Sequence, residues 1–378
     1  MFSDRRIILG ALVVLIGLLV FAMAGPLSNA GFFHEDHELY EHQSEHEHQA
    51  HERHEAHERH EARAHARHER NADYDYVEVI EKTFEVEAGQ TLLLDTDFGK
   101  VTVLGEGGDQ VAVTITKGVD DVSERRAEEL FDQFEIDFDQ DSEGVSIEGD
   151  YDGDRNWGRG NRLRVEFEIT VPREFDVAVK TAGGSIMAAN FEGDADLHTA
   201  GGSVKAVEID GPVVAKTSGG SITAEELGGP AELHTSGGSI TARDIDGAVE
   251  TETSGGSITI EEAHGDVEAR TSGGSIRLKE IHGIANAQTS GGSVTAELME
   301  APKAPMTLKT SGGTVTLELT EDASIDIDAK AAGGRVRTDM DVQVQGELSK
   351  THLQGIINGG GPLVTLRSSG GSVKILKR

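Results

Sequence analysis

Thr217-Ser218-Gly219-Gly220-Ser221-Ile222-Thr223-Ala224 returns as Thr235-Ser236-Gly237-Gly238-Ser239-Ile240-Thr241-Ala242 and again as Thr253-Ser254-Gly255-Gly256-Ser257-Ile258, each time 18 residues on. Working outward, Gly pairs stand at 183/184, 201/202, 219/220, 237/238, 255/256, 273/274 and 291/292, an unbroken period. A fixed period in this range marks a solenoid or array, in which one unit buries its apolar face only against the next. Ile186, Val204, Ile222, Ile240, Ile258, Ile276 and Val294 share one slot of the repeat, and Ala188, Ala206, Ala224, Ala242, Ile260, Leu278 and Ala296 lie two residues on. Alternate positions point to one face of a strand.

A second apolar set follows a second recurring glycine (193, 211, 229, 247, 265, 283) and begins Ala195, Val213, Ala231, Val249, Val267 and Ala285. Phe191, Ile209, Leu227, Ile245, Ala263 and Ile281 stand at the corner before that glycine. Each repeat thus holds two short strands and two glycine turns. Strict spacing places each slot on its copy in the next coil, about 4.8 Å away, and glycine suits corners that need φ > 0. Glu225, Arg243, Glu261, Lys279 and Glu297 alternate in sign in one outward slot, a favourable cross-strand ladder only in this register. The expected architecture is all-β. It is a β-solenoid with two short strands per 18-residue coil, right-handed by the rule for parallel crossovers.

Beyond residue 296 the period loosens. Thr310-Ser311-Gly312-Gly313 and Ala331-Ala332-Gly333-Gly334 follow at 21-residue steps, and Ser368-Ser369-Gly370-Gly371 comes 37 later, which reads as two coils further on. Lys374, Lys377 and Arg378 then read as charges that discourage pairing at the final sheet edge. On the N-terminal side, Tyr76–Ile80, Lys82–Val86, Val111–Ile115 and Leu163–Ile169 alternate as half-buried strands do. Thr96-Asp97-Phe98-Gly99-Lys100-Val101 is a degenerate copy of the repeat. One helix interrupts the strands: Asp121 and Glu124 have capping-box spacing ahead of Ala127, Leu130 and Phe131. This segment reads as an irregular β cap on the solenoid.

The TSGGSI repeats, with Val171-Pro172-Arg173 before them and Ile357-Asn358-Gly359-Gly360-Gly361 after, resemble a bacterial β-strand-repeat family of candidate adhesins without an assigned function. The resemblance covers 76–378 and implies a cell-envelope β-solenoid. It brings over no catalytic residue.

The first residues are of another kind. Arg5 and Arg6 precede an apolar run from Ile7 to Ala24, and Ala22-Met23-Ala24 suits signal cleavage before Gly25. An uncleaved run of this length would serve as a membrane anchor, a hydrophobic helix at residues 7–24. Either way the bulk of the chain is expected outside the cytoplasm, periplasmic or at the cell surface. Four segments result: a signal peptide or anchor (1–24), a His/Glu-rich spacer (25–72), the N-terminal β segment (73–180) and the solenoid (181–378). The spacer holds 11 of the 16 histidines and almost no apolar side chains, so it has no core to bury. His42 and His46 are an i, i+4 pair, and His51, His54, His57 and His60 recur every third residue. Imidazole suits zinc, copper and nickel, so these six are the candidate ligands for weak metal binding. A solvated spacer accounts for the same composition.

Composition narrows the chemistry. No cysteine means no disulfide, no thiolate site and no lipidated anchor. Sixty-eight acids against 34 Lys and Arg give a net charge of −34, which repels nucleic acid. Asp150, Asp152 and Asp154 open like a calcium loop, but Arg155 stands where glycine belongs and Asn161 where the bidentate Glu belongs. His264 and His282 sit beside Glu262 and Glu280 in adjacent repeats, and solvated corner charge explains them as well as a metal would. The repeats offer no acid pair beside a sugar-stacking platform. The expectation is a non-enzymatic structural or adhesin-like envelope protein, which needs no cofactor and engages an envelope polymer, a protein partner or its own copies. The alternative is a periplasmic metal-binding protein acting through the His-rich spacer.

Overall fold

The computed structural model describes residues 74–153 and 163–378. Two long sheets face each other, one of 14 strands and one of 15. At the N-terminal end lie β1 (Tyr76–Glu85), β2 (Thr91–Thr96), β3 (Lys100–Glu106), β4 (Gln110–Val119), α1 (Glu124–Phe131), β5 (Phe134–Gln140), β6 (Gly144–Tyr151) and β7 (Arg164–Pro172). The regular coils follow as strand pairs: β8 (Asp176–Thr181) with β9 (Ile186–Glu192), β10 (Ala195–Thr199) with β11 (Val204–Asp210), and β12 (Val213–Thr217) with β13 (Ile222–Leu227). Next come β14 (Ala231–Thr235) with β15 (Ile240–Ile245), β16 (Val249–Thr253) with β17 (Ile258–Ala263), and β18 (Val267–Thr271) with β19 (Ile276–Ile281). Then follow β20 (Ala285–Thr289) with β21 (Val294–Leu298), and β22 (Met306–Thr310) with β23 (Val315–Leu319). The C-terminal end holds β24 (Ile325–Ala331), β25 (Val336–Thr338), β26 (Val342–Leu348), β27 (His352–Ile357), β28 (Leu363–Ser368) and β29 (Val373–Lys377). None of the described helices is long and apolar enough to cross a membrane.

Each coil gives one strand to each sheet, and every slot pairs in parallel with its copy: Ile222 with Ile240, Ala224 with Ala242, Thr235 with Thr253. Ile186 through Val294 form a fully buried column, and alanines beside it let the two sheets close. The repeat Thr is a buried polar strut. Thr217 Oγ1 donates to the Gly202 carbonyl at 2.7 Å and accepts from the Gly220 N–H at 3.2 Å, and the neighbouring coils repeat both bonds. The repeat Ser links coils edge to edge, Ser203 Oγ accepting from the Ser221 N–H at 3.3 Å.

The glycines are needed for a different reason from the expected one. From Gly202 to Gly292 the second glycine of each pair lies outside the left-handed region, whereas Gly184 in the first regular coil is at φ 136. A Cβ on Gly220 would instead collide with the Gly202 carbonyl oxygen of the coil below. Close stacking, not positive φ, excludes a side chain there. The left-handed corners belong to Asn190 (φ 66), Glu208 (φ 52), Glu226 (φ 56), Asp244 (φ 54), Glu262 (φ 59) and Glu280 (φ 56). Glu208 and Glu226 drop out of the pairing at the same position of both strands without a shift of register, so each is a left-handed kink that turns the next residue, Ile209 or Leu227, into the core.

At the N-terminal end the degenerate copy joins the winding as expected, with Val101 opposite Ile186 and the Gly99 N–H donating to the Gly183 carbonyl. The coils there are out of chain order: β2 and β3 lie between β8–β9 and the later β6–β7. Antiparallel β1, β4 and β5 close this end, around Phe98, Phe134, Tyr151 and Phe167. The capping box is not formed. The helix starts after Ser123, which makes no side-chain cap bond, while Asp121 sits in a left-handed turn (φ 54).

The C-terminal end corrects a third expectation. The last coil, β28–β29, does not continue the stack. It slots between β22–β23 and β24–β25, with Val315 and Val336 both opposite Val373. Lys374 and Lys377 therefore lie on an inner strand, and β25 and β26 are the sheet edges at this end.

Candidate functional site

The six candidate metal ligands, His42, His46, His51, His54, His57 and His60, lie outside the described residues, as do Asp154, Arg155 and Asn161. Asp150 faces Glu135 across the β5–β6 hairpin. His264 and His282 stack ring on ring, centroids 4.8 Å apart and planes 7° from parallel. No group of three or more His, Asp or Glu among the described residues is placed to hold a metal ion.

The expected outward ladder is present on the 14-stranded sheet. Arg243 bonds Glu225 at 2.9 Å and Glu261 at 3.2 Å, and Lys205 adds a further contact to Glu225 at 3.2 Å. Its hydrogen bond from Lys205, with help from Arg243, holds the Glu225 carboxyl below the usual carboxylate range against the opposing effect of burial. Lys279 turns aside to Glu280 at 2.7 Å. Glu297 pairs with Arg378 at 2.8 Å, so every charge of this ladder has a partner of opposite sign.

The opposite face differs. On the 15-stranded sheet the residue before each repeat Thr points outward and stacks on its copy. From one end the column runs Lys180, His198, Lys216, His234 and Glu252. It continues through Arg270, Gln288, Lys309, Arg367 and Lys330. At about 4.8 Å per strand it extends roughly 40 Å. From Lys180 to Lys330, six Lys or Arg and two His stand against Glu252, while Asp95 and Glu148 continue the column beyond Lys180, in a chain with twice as many acids as bases.

Between this column and the Ser-Gly corner lies an open groove of about 560 Å³. Lys180, His198, Lys216 and His234 wall one side together with Asp95 and Glu252, and Asp97, Ser218, Ser236 and Ser254 wall the other. The column's acidic partners sit mostly on the side away from the corner. His198 meets Asp196 at 2.9 Å, and Lys216 meets Glu232 at 2.9 Å. Arg270 pairs with Glu268, and Arg367 with Asp328. The bond from Lys216 keeps the Glu232 carboxyl below its usual range, although burial opposes this. Lys180 is held by Asp95 at 2.6 Å within the column itself, which raises its pKa. Surface pairs of this kind contribute little to stability and exchange readily, and Lys and Arg keep spare N–H donors after making one. Lys309 and Lys330 form no ion pair among the described residues.

The family model for Toastrack DUF4097 matches residues 90–376, a span that runs from just before β2 into β29 and includes the groove. The chain belongs to the Toastrack DUF4097 family. Among solved structures, this Toastrack chain is similar to a candidate cell adhesion protein from Clostridium sporogenes, at 13% identity over 80% of this chain and 100% of the other, with a TM-score of 0.21. A candidate adhesin from Bacteroides fragilis matches at 11% identity over 80% and 97%, with a TM-score of 0.32. A candidate lipid-binding protein from Parabacteroides distasonis matches at 13% over 79% and 97%, with a TM-score of 0.38. No curated protein matches the Toastrack chain.

Sequence reading missed the basic column. Its signal is nevertheless plain, because Lys180-Thr181, His198-Thr199, Lys216-Thr217, His234-Thr235 and Arg270-Thr271 each sit just before a Gly-pair turn.

Proposed function

We propose that this chain is a non-enzymatic, adhesin-like module of the cell envelope that holds an extended partner along one face of its solenoid. The observation behind this reading is the groove beside the basic column. It runs across successive coils, so the same polar set recurs at every step and a linear partner keeps contact as it lengthens. Export is supported by Arg5, Arg6 and the apolar run from Ile7 to Ala24, which would also tether the protein to the membrane if left uncleaved. The partner is an envelope polymer, a protein or a second copy of the chain. Nucleic acid is disfavoured by the net charge of −34.

Cells displaying the protein should attach to isolated envelope material. Filling the groove with Ser218→Trp and Ser236→Trp should abolish attachment while the fold is retained. Unchanged attachment would remove the reading.

The histidine density of the spacer supports a second activity, weak binding of zinc, copper or nickel by His42, His46, His51, His54, His57 and His60. Calorimetric titration of the full-length protein and of a variant with these six replaced by Gln tests it. Equal heats from the two proteins would dismiss it.

A further inference from the structure

We infer that the inserted coil β28–β29 is traded between two copies of this chain, each copy seating the other's coil in its own slot, so that the protein forms an exchanged dimer. This goes beyond the reading of the groove, uses none of its residues and stands or falls apart from it.

The slot is the first ground. β28–β29 lies between two coils that precede it in the chain, β22–β23 on one side and β24–β25 on the other. Val364 is opposite both Met306 and Ile327, and Val373 is opposite both Val315 and Val336. Val364, Leu366, Val373 and Ile375 are fully buried there. Each copy thus builds both walls of the seat from residues outside the coil. A coil from a second copy finds the same register, the same core and the same Arg367–Asp328 pair. An exchanged element makes in the dimer the contacts it makes in the monomer, so the two states differ mainly in the connection and in protein concentration.

The second ground is how poorly β24–β25 would fill an empty seat. Ser368 Oγ donates to the Gly313 carbonyl at 2.7 Å, as Thr310 Oγ1 does to the Gly292 carbonyl at 2.6 Å. If β24–β25 closed on β22–β23 in chain order, Ala331 would take the slot of Ser368 with no hydroxyl to give. A carbonyl inside the stack that loses its donor is destabilising. The occupant that restores it is a β28–β29 coil, from this copy or from another.

The connection is the third ground. Asn358-Gly359-Gly360-Gly361-Pro362 joins β27 to β28. The Asn358 amide is anchored, donating to the Glu321 and Ala323 carbonyls at 2.8 and 3.0 Å. Beyond this anchor Gly359 and Gly360, both at φ 87, turn the chain back, and a Cβ on Gly359 would meet nothing. Glycines adopt an extended path as readily as this turn, so the same connection carries the coil outward to a neighbour. Because the coil enters between strands made before it, the choice of slot falls during folding, when repeat proteins are prone to swap units.

The chain has no cysteine, so introduced pairs report connectivity cleanly. Thr307→Cys with Thr365→Cys sets two thiols opposite each other on β22 and β28, within the span of a disulfide. Thr223→Cys with Thr241→Cys does the same between β13 and β15 of the regular middle. The full-length proteins are unfolded, refolded over a range of concentrations, oxidised and run on non-reducing gels. The β22–β28 pair should give a disulfide-linked dimer that rises about fivefold or more when the concentration is raised about tenfold, while the middle pair bonds within one chain throughout. The unaltered protein, refolded in the same way, should form a dimer by light scattering that persists on dilution. Oxidised at low concentration, the β22–β28 pair locks the coil in its own chain, and that protein should stay monomeric where the unaltered one dimerises. Internal bonds alone in the β22–β28 pair would overturn the proposal, and equal linked dimer from both pairs would reduce it to random cross-linking. Dimerisation of the locked protein would place the contact elsewhere and overturn it as well. A monomeric unaltered protein at every concentration would do so whatever the variants show.

Discussion

The regular middle of the solenoid and its two ends solve the same problem in opposite ways. Between β8 and β23 each coil lies on its predecessor, chain order equals spatial order, and the core is Ile, Val, Leu and Ala. At both ends chain order is broken: β2–β3 is overlaid by the later β6–β7, and the last coil is overlaid by the earlier β24–β25. Phe134, Phe167, Phe175 and Phe191, the largest fully buried side chains, all lie at or near the N-terminal end. The difference follows from edges. A middle coil has a partner above and below, and stability there is close to a sum over neighbours. A terminal coil leaves a row of unpaired backbone groups. Tucking a coil inside and closing with antiparallel strands lets the outermost strands be held by chain on either side of them in sequence. Small residues suffice where coils repeat; an irregular closure needs bulk to fill it.

Breaking the middle should have the largest effect. In Gly220→Val the added side chain meets the Gly202 backbone, which has nowhere to move because Gly184 lies beneath it. The expected loss exceeds about 4–5 kcal/mol, read by urea unfolding. A cost no larger than that of a surface change would show that the coils separate easily. Phe167→Ala tests the ends. Phe167 is fully buried, packs near Phe134 and pairs between Val101 and Ile115, so truncation should cost about 3–5 kcal/mol. Hydrogen exchange should place that damage near the N-terminal end and leave β14–β19 protected.

The same contrast explains what could be read in advance. The middle was legible because every slot repeats; Ile222, Ile240 and Ile258 admit only one in-register stack. The C-terminal order was not, because Val315, Val336 and Val373 are interchangeable partners. Nothing local to Ser368-Ser369-Gly370-Gly371 says that it lies between the Thr310 and Ala331 turns instead of beyond them. The left-handed acids were hidden for another reason. Glutamate is a poor choice for positive φ, so the glycines took that role in the sequence reading, whereas stacking distance was what they served. Of the candidate groove, Ser218, Ser236 and Ser254 were visible only as repeat residues, with nothing local to say that they edge a groove. The basic column was visible only when the residue before each Thr was followed from coil to coil.

A smaller effect should separate the inserted coil from the middle by its pH dependence. Asp328 on β24 bonds Arg367 of the inserted β28 and, at 3.0 Å, His352 of β27. Burial disfavours its charge, but Arg367 and His352 outweigh that and hold the carboxyl below its usual range. A lowered folded-state value means the pair stabilises the fold above the unfolded carboxylate pKa of about 4 and that this is lost as pH falls through the folded value. Asp328→Asn should cost about 1.5–3 kcal/mol at neutral pH, and the difference from the parent should vanish in acid. In the middle, Thr235→Val removes the bonds to the Gly220 carbonyl and Gly238 N–H. It should cost about 1–2 kcal/mol with no pH dependence in that range. A pH-dependent Thr235→Val or a pH-independent Asp328→Asn would contradict this assignment.

The smallest expected change is a gain. Glu226 lies at φ 56, between Glu208 and Asp244, which occupy the same slot in neighbouring coils. A left-handed backbone costs a non-glycine residue about 1–2 kcal/mol, and asparagine less than most. Like charges one strand apart add repulsion that salt screens. Glu226→Asn relieves both and leaves Leu227 in the core, because the left-handed kink itself is kept. Thermal unfolding at low salt should show stabilisation of up to about 1 kcal/mol, shrinking as salt is added and the charge component disappears. A loss of stability instead would mean that the Glu226 carboxylate makes a favourable contact at this corner, and that the acids were placed there for more than the turn.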